Sequence, residues 1–132
     1  MLTIKIENDY TGALKEMGIK PEGISGVMTV RDGGELLGLG TMRAFEKCIS
    51  VDKIGIKDSA KDFNLEYGLG NSMLNFIDLK GYRYAVSSNS DMDKLLKALK
   101  FKPAAQCAED MEIIGGDWLY CLNLDGYFVS NC

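Results

Sequence analysis

Apolar and polar residues alternate at the start of the chain. Leu2, Ile4 and Ile6 are separated by Thr3 and Lys5, which predicts a half-buried strand over 2–7. Residues 11–18 (TGALKEMG) are long enough for about two helical turns before Gly18 ends them. Residues 25–31 (SGVMTVR) and 35–43 (ELLGLGTMR) flank Asp32-Gly33-Gly34, and an Asp-Gly turn between such runs predicts a hairpin. The β-branched run at 48–56 (CISVDKIGI) predicts a long, largely buried strand, with a bulge or close backbone approach at Gly55. Residues 57–66 (KDSAKDFNLE) are polar and predict an irregular connection.

From Gly70 to Lys80, Met73, Leu74, Phe76 and Ile77 recur at helical spacing, and Gly81 supplies a C-terminal stop. Residues 82–88 (YRYAVSS) predict the next strand. Ser90 is the expected N-cap of a following helix, which has Asp91 and Asp93 in its first turn and a buried stripe of Met92, Leu95, Leu96 and Leu99. Segments 109–114 (EDMEII) and 118–124 (WLYCLNL), separated by Gly115-Gly116, predict a final strand pair. Strands interspersed with helices predict one α/β domain over 1–132.

Composition narrows the chemistry. The chain has 132 residues, 46% hydrophobic and 26% charged, as an ordinary globular domain does. It carries no long apolar run to span a bilayer, and its start lacks the regions of a signal peptide, so the expected location is the cytoplasm. A net charge of −4 argues against nucleic-acid binding and favours amine partners. There is no histidine, which removes Ser-His-Asp and Cys-His mechanisms and, with no CxxC pair among the cysteines, leaves no expected metal site. Cys48, Cys107 and Cys121 are expected to be buried apolar groups, and Cys132 an exposed, reactive thiol.

Gly68-Leu69-Gly70-Asn71 stands where strand 48–56 and its polar connection give way to a helix. Glycines let main-chain N–H groups approach an anion, and a helix start adds unpaired donors and a positive dipole end, so this loop is the candidate phosphate site. Taken alone, a Gly-x-Gly of this kind is more often a simple turn.

The order of parts from residue 24 to about 103 resembles the GCN5-related N-acetyltransferase (GNAT) family. There, a hairpin leads to an I-D-x-I-x-V strand, a Q/R-x-x-G-x-G/A loop opens a helix, and a strand ending near an asparagine precedes a helix closing on L-G-F. The matching segments are Val51-Asp52-Lys53-Ile54-Gly55-Ile56, then Leu65-Glu66-Tyr67-Gly68-Leu69-Gly70, then Asn89 and Leu99-Lys100-Phe101. The resemblance implies a mixed, mostly antiparallel sheet with helices on both faces and a splayed strand pair. It implies acetyl-CoA, or coenzyme A, as cofactor and N-acyl transfer to a primary amine of a small molecule or protein.

By the same resemblance, main-chain groups of Ile54, Gly55 and Ile56 would pair with the pantetheine arm. Amides of Leu65, Glu66, Tyr67, Gly68, Leu69, Gly70 and Asn71 would hold the pyrophosphate. Asn89 would touch the cofactor near the splay, and Asp52 would draw a proton from the amine. The chain also departs from the family pattern. Leu65 replaces the Gln or Arg, with Lys57 or Lys61 as substitutes, and Leu96 stands where many members have an acidic tyrosine, leaving Tyr67 or Tyr84 as candidates. A coenzyme A-binding module without catalysis is therefore the alternative. A third possibility, a homodimerising module, draws on Trp118, Tyr120, Tyr127 and Phe128.

Overall fold

The computed structural model describes residues 1–128, and the expectation for Cys132 lies outside the described residues. Strand β1 is Leu2–Ile6, followed by helix α1 (Thr11–Glu16), β2 (Gly26–Asp32), β3 (Glu35–Ala44) and β4 (Cys48–Ile56). Helix α2 (Phe63–Leu79), β5 (Tyr84–Ser87), α3 (Asp93–Ala98), β6 (Lys102–Pro103), α4 (Ala108–Ile114) and β7 (Tyr120–Asn123) complete the described elements. The strands form one 7-stranded sheet in the order β1-β2-β3-β4-β5-β7-β6. Among the described strands only the β4–β5 pair is parallel.

The hairpin forms where Asp32-Gly33-Gly34 predicts it. Asp32 pairs with Glu35, and Gly33 and Gly34 take φ of 59° and 97°, as a tight primed turn requires. Alternation along the strands sorts side chains onto two faces. Met28, Ile49, Ile54, Ile56 and Leu122 meet Met73, Leu74 and Ile77 of α2 and Leu95, Leu96 and Leu99 near α3, which is the main core. On the opposite face α1 covers Val27, Leu36 and Leu39, while α4 covers Val86 and Cys121. Cys48, Cys107 and Cys121 are free and buried, as expected of small apolar groups.

Four local expectations are corrected. Helix α2 begins at Phe63, not Gly70, because Asp62 caps it by accepting from the Asn64 N–H at 2.8 Å. Asn89, not Ser90, caps the turn before α3, accepting from the Asp91 N–H at 3.0 Å. Residues 109–114 are helical, and β7 pairs instead with β5 and the two-residue β6. The bulge of β4 lies at Asp52: Thr41 faces Lys53 and Met42 faces Val51, leaving Asp52 without a cross-strand partner. Gly38 of β3 is the close approach, since a Cβ there would meet the Gly55 carbonyl oxygen and lie 2.9 Å from the Ile56 Cα.

Candidate functional site

The parallel pair β4–β5 is short. Cys48, Ile49 and Ser50 pair with Tyr84, Ala85 and Val86, and beyond them the two strands part. On its other side β4 stays paired with β3 as far as Ile56. The Lys57 N–H donates to the Leu37 carbonyl at 2.8 Å, so by strand alternation Lys57, Gly55 and Lys53 direct their main chain toward β3. Ile54 and Ile56 therefore direct theirs into the gap, where no described group bonds to them. Gly55 faces β3, so of the three positions implied for pantetheine two present free groups.

Asn89 ties the gap at its apex. Its Nδ2 donates to the Asp52 carbonyl at 3.0 Å while its Oδ1 caps the following turn, so its amide holds the strands at a fixed divergence. The Asp52 carboxylate is occupied. Arg43 Nε donates to its Oδ2 at 2.7 Å, Arg43 Nη2 to its Oδ1 at 3.3 Å, and the Ser50 hydroxyl to its Oδ1. The hydrogen bond to Asp52 raises the Arg43 pKa and holds it as a cation. Arg43 also lies over the Phe45 ring, 5.5 Å from its centroid, and Phe45 meets Trp118 edge-on at 5.2 Å. Phe45 donates its N–H to the Cys48 carbonyl at 2.9 Å, so this aromatic pair sits beside the closed end of β4.

The glycine pair does not form a loop. Leu65 to Asn71 lie inside α2, and the Leu65 and Glu66 amides already bond to the Asp62 carbonyl, at 3.1 and 3.0 Å. From Tyr67 onward the amides point to carbonyls one turn back, as any helical amide does. Gly70 serves packing, because a Cβ there would sit 2.7 Å from Leu99 Cδ1 and 3.3 Å from Ile54 Cδ1. Gly68 has nothing within 4 Å of such a Cβ. In the 57–63 segment, where α2 starts, Lys57, Ala60 and Lys61 already donate to carbonyls, and the Asp62 and Phe63 N–H groups have no described partner.

Two residues at that mouth carried no sequence signal. Lys94, in the first turn of α3, places its Nζ 4.8 Å from the centroid of Phe63, the first residue of α2, joining the two helix starts that flank the gap. Only knowledge that both helices begin at this end could have singled them out. Lys57 is committed to Glu16 of α1, whereas Lys61 makes no ion pair among the described residues.

The expected proton donors fall elsewhere. Leu96 is fully buried in the core. Tyr84 lies at the closed end, donating to Asp110 at 3.2 Å, and its pKa is raised by burial and then by the Asp110 charge. Tyr67 is 38% exposed on α2. Tyr120, a strand away from the gap, donates to Asp93 at 2.7 Å, and that bond raises its pKa. The aromatic tail is spent internally too: Tyr127 donates to the Leu99 carbonyl at 2.8 Å and stacks edge-on against Phe128 at 4.8 Å.

A sheet parting after a short parallel pair, with helices on both faces, is the GNAT acyltransferase fold, and the chain has that fold. A GNAT-family N-acetyltransferase from Escherichia coli in complex with coenzyme A aligns at 14% identity and a TM-score of 0.62, over 80% of this chain and 71% of that one. A GNAT-family acetyltransferase from Elizabethkingia anophelis with acetyl-CoA bound aligns at 11% identity and TM-score 0.62, over 93% and 98%. An N-acetylglutamate synthase from Neisseria gonorrhoeae, complexed with coenzyme A and N-acetyl-glutamate, aligns at 13% identity and TM-score 0.67 over 94% of this chain, which spans 35% of the synthase. No protein-family model matches the chain, and no curated protein matches it by sequence. No described helix is long and apolar enough to cross a membrane.

Proposed function

We propose that the chain binds an acyl-coenzyme A in the β4–β5 gap and transfers the acyl group to a primary amine. The observation that carries this is the unpaired main chain of Ile54 and Ile56 on a strand parting from its parallel neighbour. Such groups suit the amides of a pantetheine arm, which can extend the strand as a peptide would. That three structures of this fold hold coenzyme A or acetyl-CoA supports the choice of ligand.

Ile54 and Ile56 would hold the arm, and the start of α2 with Lys61 and Lys94 would face its phosphates, a role for which Leu65 has no polar group. Asp62 opposes this, since its carboxylate already occupies the Asn64 N–H. Asp62→Ser keeps a cap but removes the charge, so it should tighten binding. The bound thioester supplies the electrophile. A free N–H at Ile54 or Ile56 can stabilise charge on the carbonyl oxygen, and the gap orients the thioester for direct attack.

Asp52, with Arg43 and Ser50 already donating to it, serves better to fix the bulge and position Arg43 than to take the amine's proton. We expect Asp52→Asn to lower the rate by less than about tenfold, whereas loss of a general base would cost about 10²- to 10⁴-fold. The occupied Asp52 and buried Leu96 also favour the second reading, a coenzyme A-binding module without catalysis. Acetyl-CoA at a hundred times its dissociation constant should stabilise the protein by about 2.7 kcal/mol, visible as a raised Tm. Thiol release with polyamine, aminoglycoside and peptide amines then separates the two readings. Transfer requires both signals, the binding module gives the Tm shift alone, and absence of both rejects this site.

A further inference from the structure

The two edges of the sheet are built differently. At one end β6 is only Lys102–Pro103, short and proline-bearing, as edges protected from pairing are. At the other end β1 runs five residues, Leu2–Ile6, with no proline. The Glu7 N–H donates to Val27 of β2 at 3.1 Å, so odd-numbered positions direct their main chain inward. Leu2, Ile4 and Ile6 direct theirs outward, and no described strand pairs with them on that side.

We propose that β1 is a dimerisation edge, pairing antiparallel with β1 of a second copy about a twofold axis at Ile4. Strand faces require even-numbered residues to meet even-numbered ones. The register that uses all of β1 sets Ile4 against Ile4 and Leu2 against Ile6, in both directions. These are the residues whose main chain points outward, so each pair can exchange two hydrogen bonds. Between them Thr3 meets Lys5, so no like charges are opposed.

The side chains fit the same partner. Ile4 and Ile6 line a groove of about 580 Å³ between β1 and α2, with Met28, Phe76, Leu79 and Phe128 along it. Leu79 is 77% exposed and Leu2 is 55% exposed, although both are large and apolar. In this register Leu2 of the second copy lands beside Ile6, over the groove, and each Leu2 is covered in return. The self-matching register favours a second copy over an unrelated extended peptide, which would need only the open edge.

Sedimentation equilibrium of the full chain at micromolar concentrations tests this. Twice the 14.5 kDa chain mass is expected. Leu2→Asp with Leu79→Asp, both at exposed positions, should weaken association by at least about tenfold with the melting profile of the monomer retained. With Cys132→Ser as background, Thr3→Cys with Lys5→Cys should give a disulfide-linked dimer under mild oxidation that the background alone does not give, because these residues would face each other across the axis at a bridgeable distance. A monomer at every concentration overturns the proposal. So does a dimer indifferent to the Leu2 and Leu79 changes, or a cysteine pair that fails to link in a dimer.

Discussion

The two halves of β4 differ in what their main chain is for. From Cys48 to Ser50 the strand is paired on both sides and its side chains are buried on both faces. From Lys53 to Ile56 it is paired on one side only, a bulge at Asp52 turns it away, and Asn89 holds the divergence. The same stretch of β-branched residues thus provides a stable anchor and, continuous with it, a set of unspent hydrogen-bonding groups. The closed half fixes the direction of the open one, so the site needs little structure of its own.

The largest separation of the two halves should come from Ile49→Ala. Ile49 is 5% exposed in the closed half, and its truncation should cost about 3 kcal/mol in chemical denaturation. The acetyl-CoA-induced gain in stability should persist. Gly70→Ala attacks the open half from behind, because its new Cβ would press on Leu99 and Ile54. A loss of about 2 kcal/mol is expected, with weaker acetyl-CoA binding by titration calorimetry. Gly68→Ala, two positions earlier on the same helix, meets nothing and should gain up to about 1 kcal/mol.

That contrast between two glycines marks where sequence stops short. Both belong to one Gly-x-Gly, which alone reads more often as a simple turn and which the family resemblance made a phosphate loop. The structure makes one a packing contact and the other a neutral helical position, because Asp62 caps the helix six residues before the first of them. The strands were legible wherever β-branched residues or alternation marked them, and the hairpin through Gly33-Gly34. Residues 109–114 were not, although Glu109 and Asp110 at the first turn, with Met111 and Ile114 three apart, fit a short helix covering Cys107 and Cys121. Within the site, Asp52 and Asn89 were found by motif. Their partners Arg43 and Ser50, and the meeting of Phe63 with Lys94, depend on register and on convergence of distant segments, which no local pattern encodes.

Asn89→Ala should release the apex. Loss of the hydrogen bond to the Asp52 carbonyl together with the cap on the Asp91 N–H should cost about 2 kcal/mol in thermal unfolding and reduce acetyl-CoA binding more than Ile49→Ala does. A gain like that of Gly68→Ala is expected at Lys100, which takes φ of 78° just after α3, where the family pattern has glycine. Lys100→Gly should stabilise the protein by about 1 kcal/mol, with ligand affinity unchanged.

Residue-resolved amide exchange with and without acetyl-CoA addresses the unspent groups of the open half directly. The N–H groups of Ile54 and Ile56 should gain protection on ligand addition, while those of Cys48 to Ser50, protected already, should change little. Unchanged exchange at Ile54 and Ile56 under saturating acetyl-CoA would contradict the assignment of this gap as the acyl-coenzyme A site.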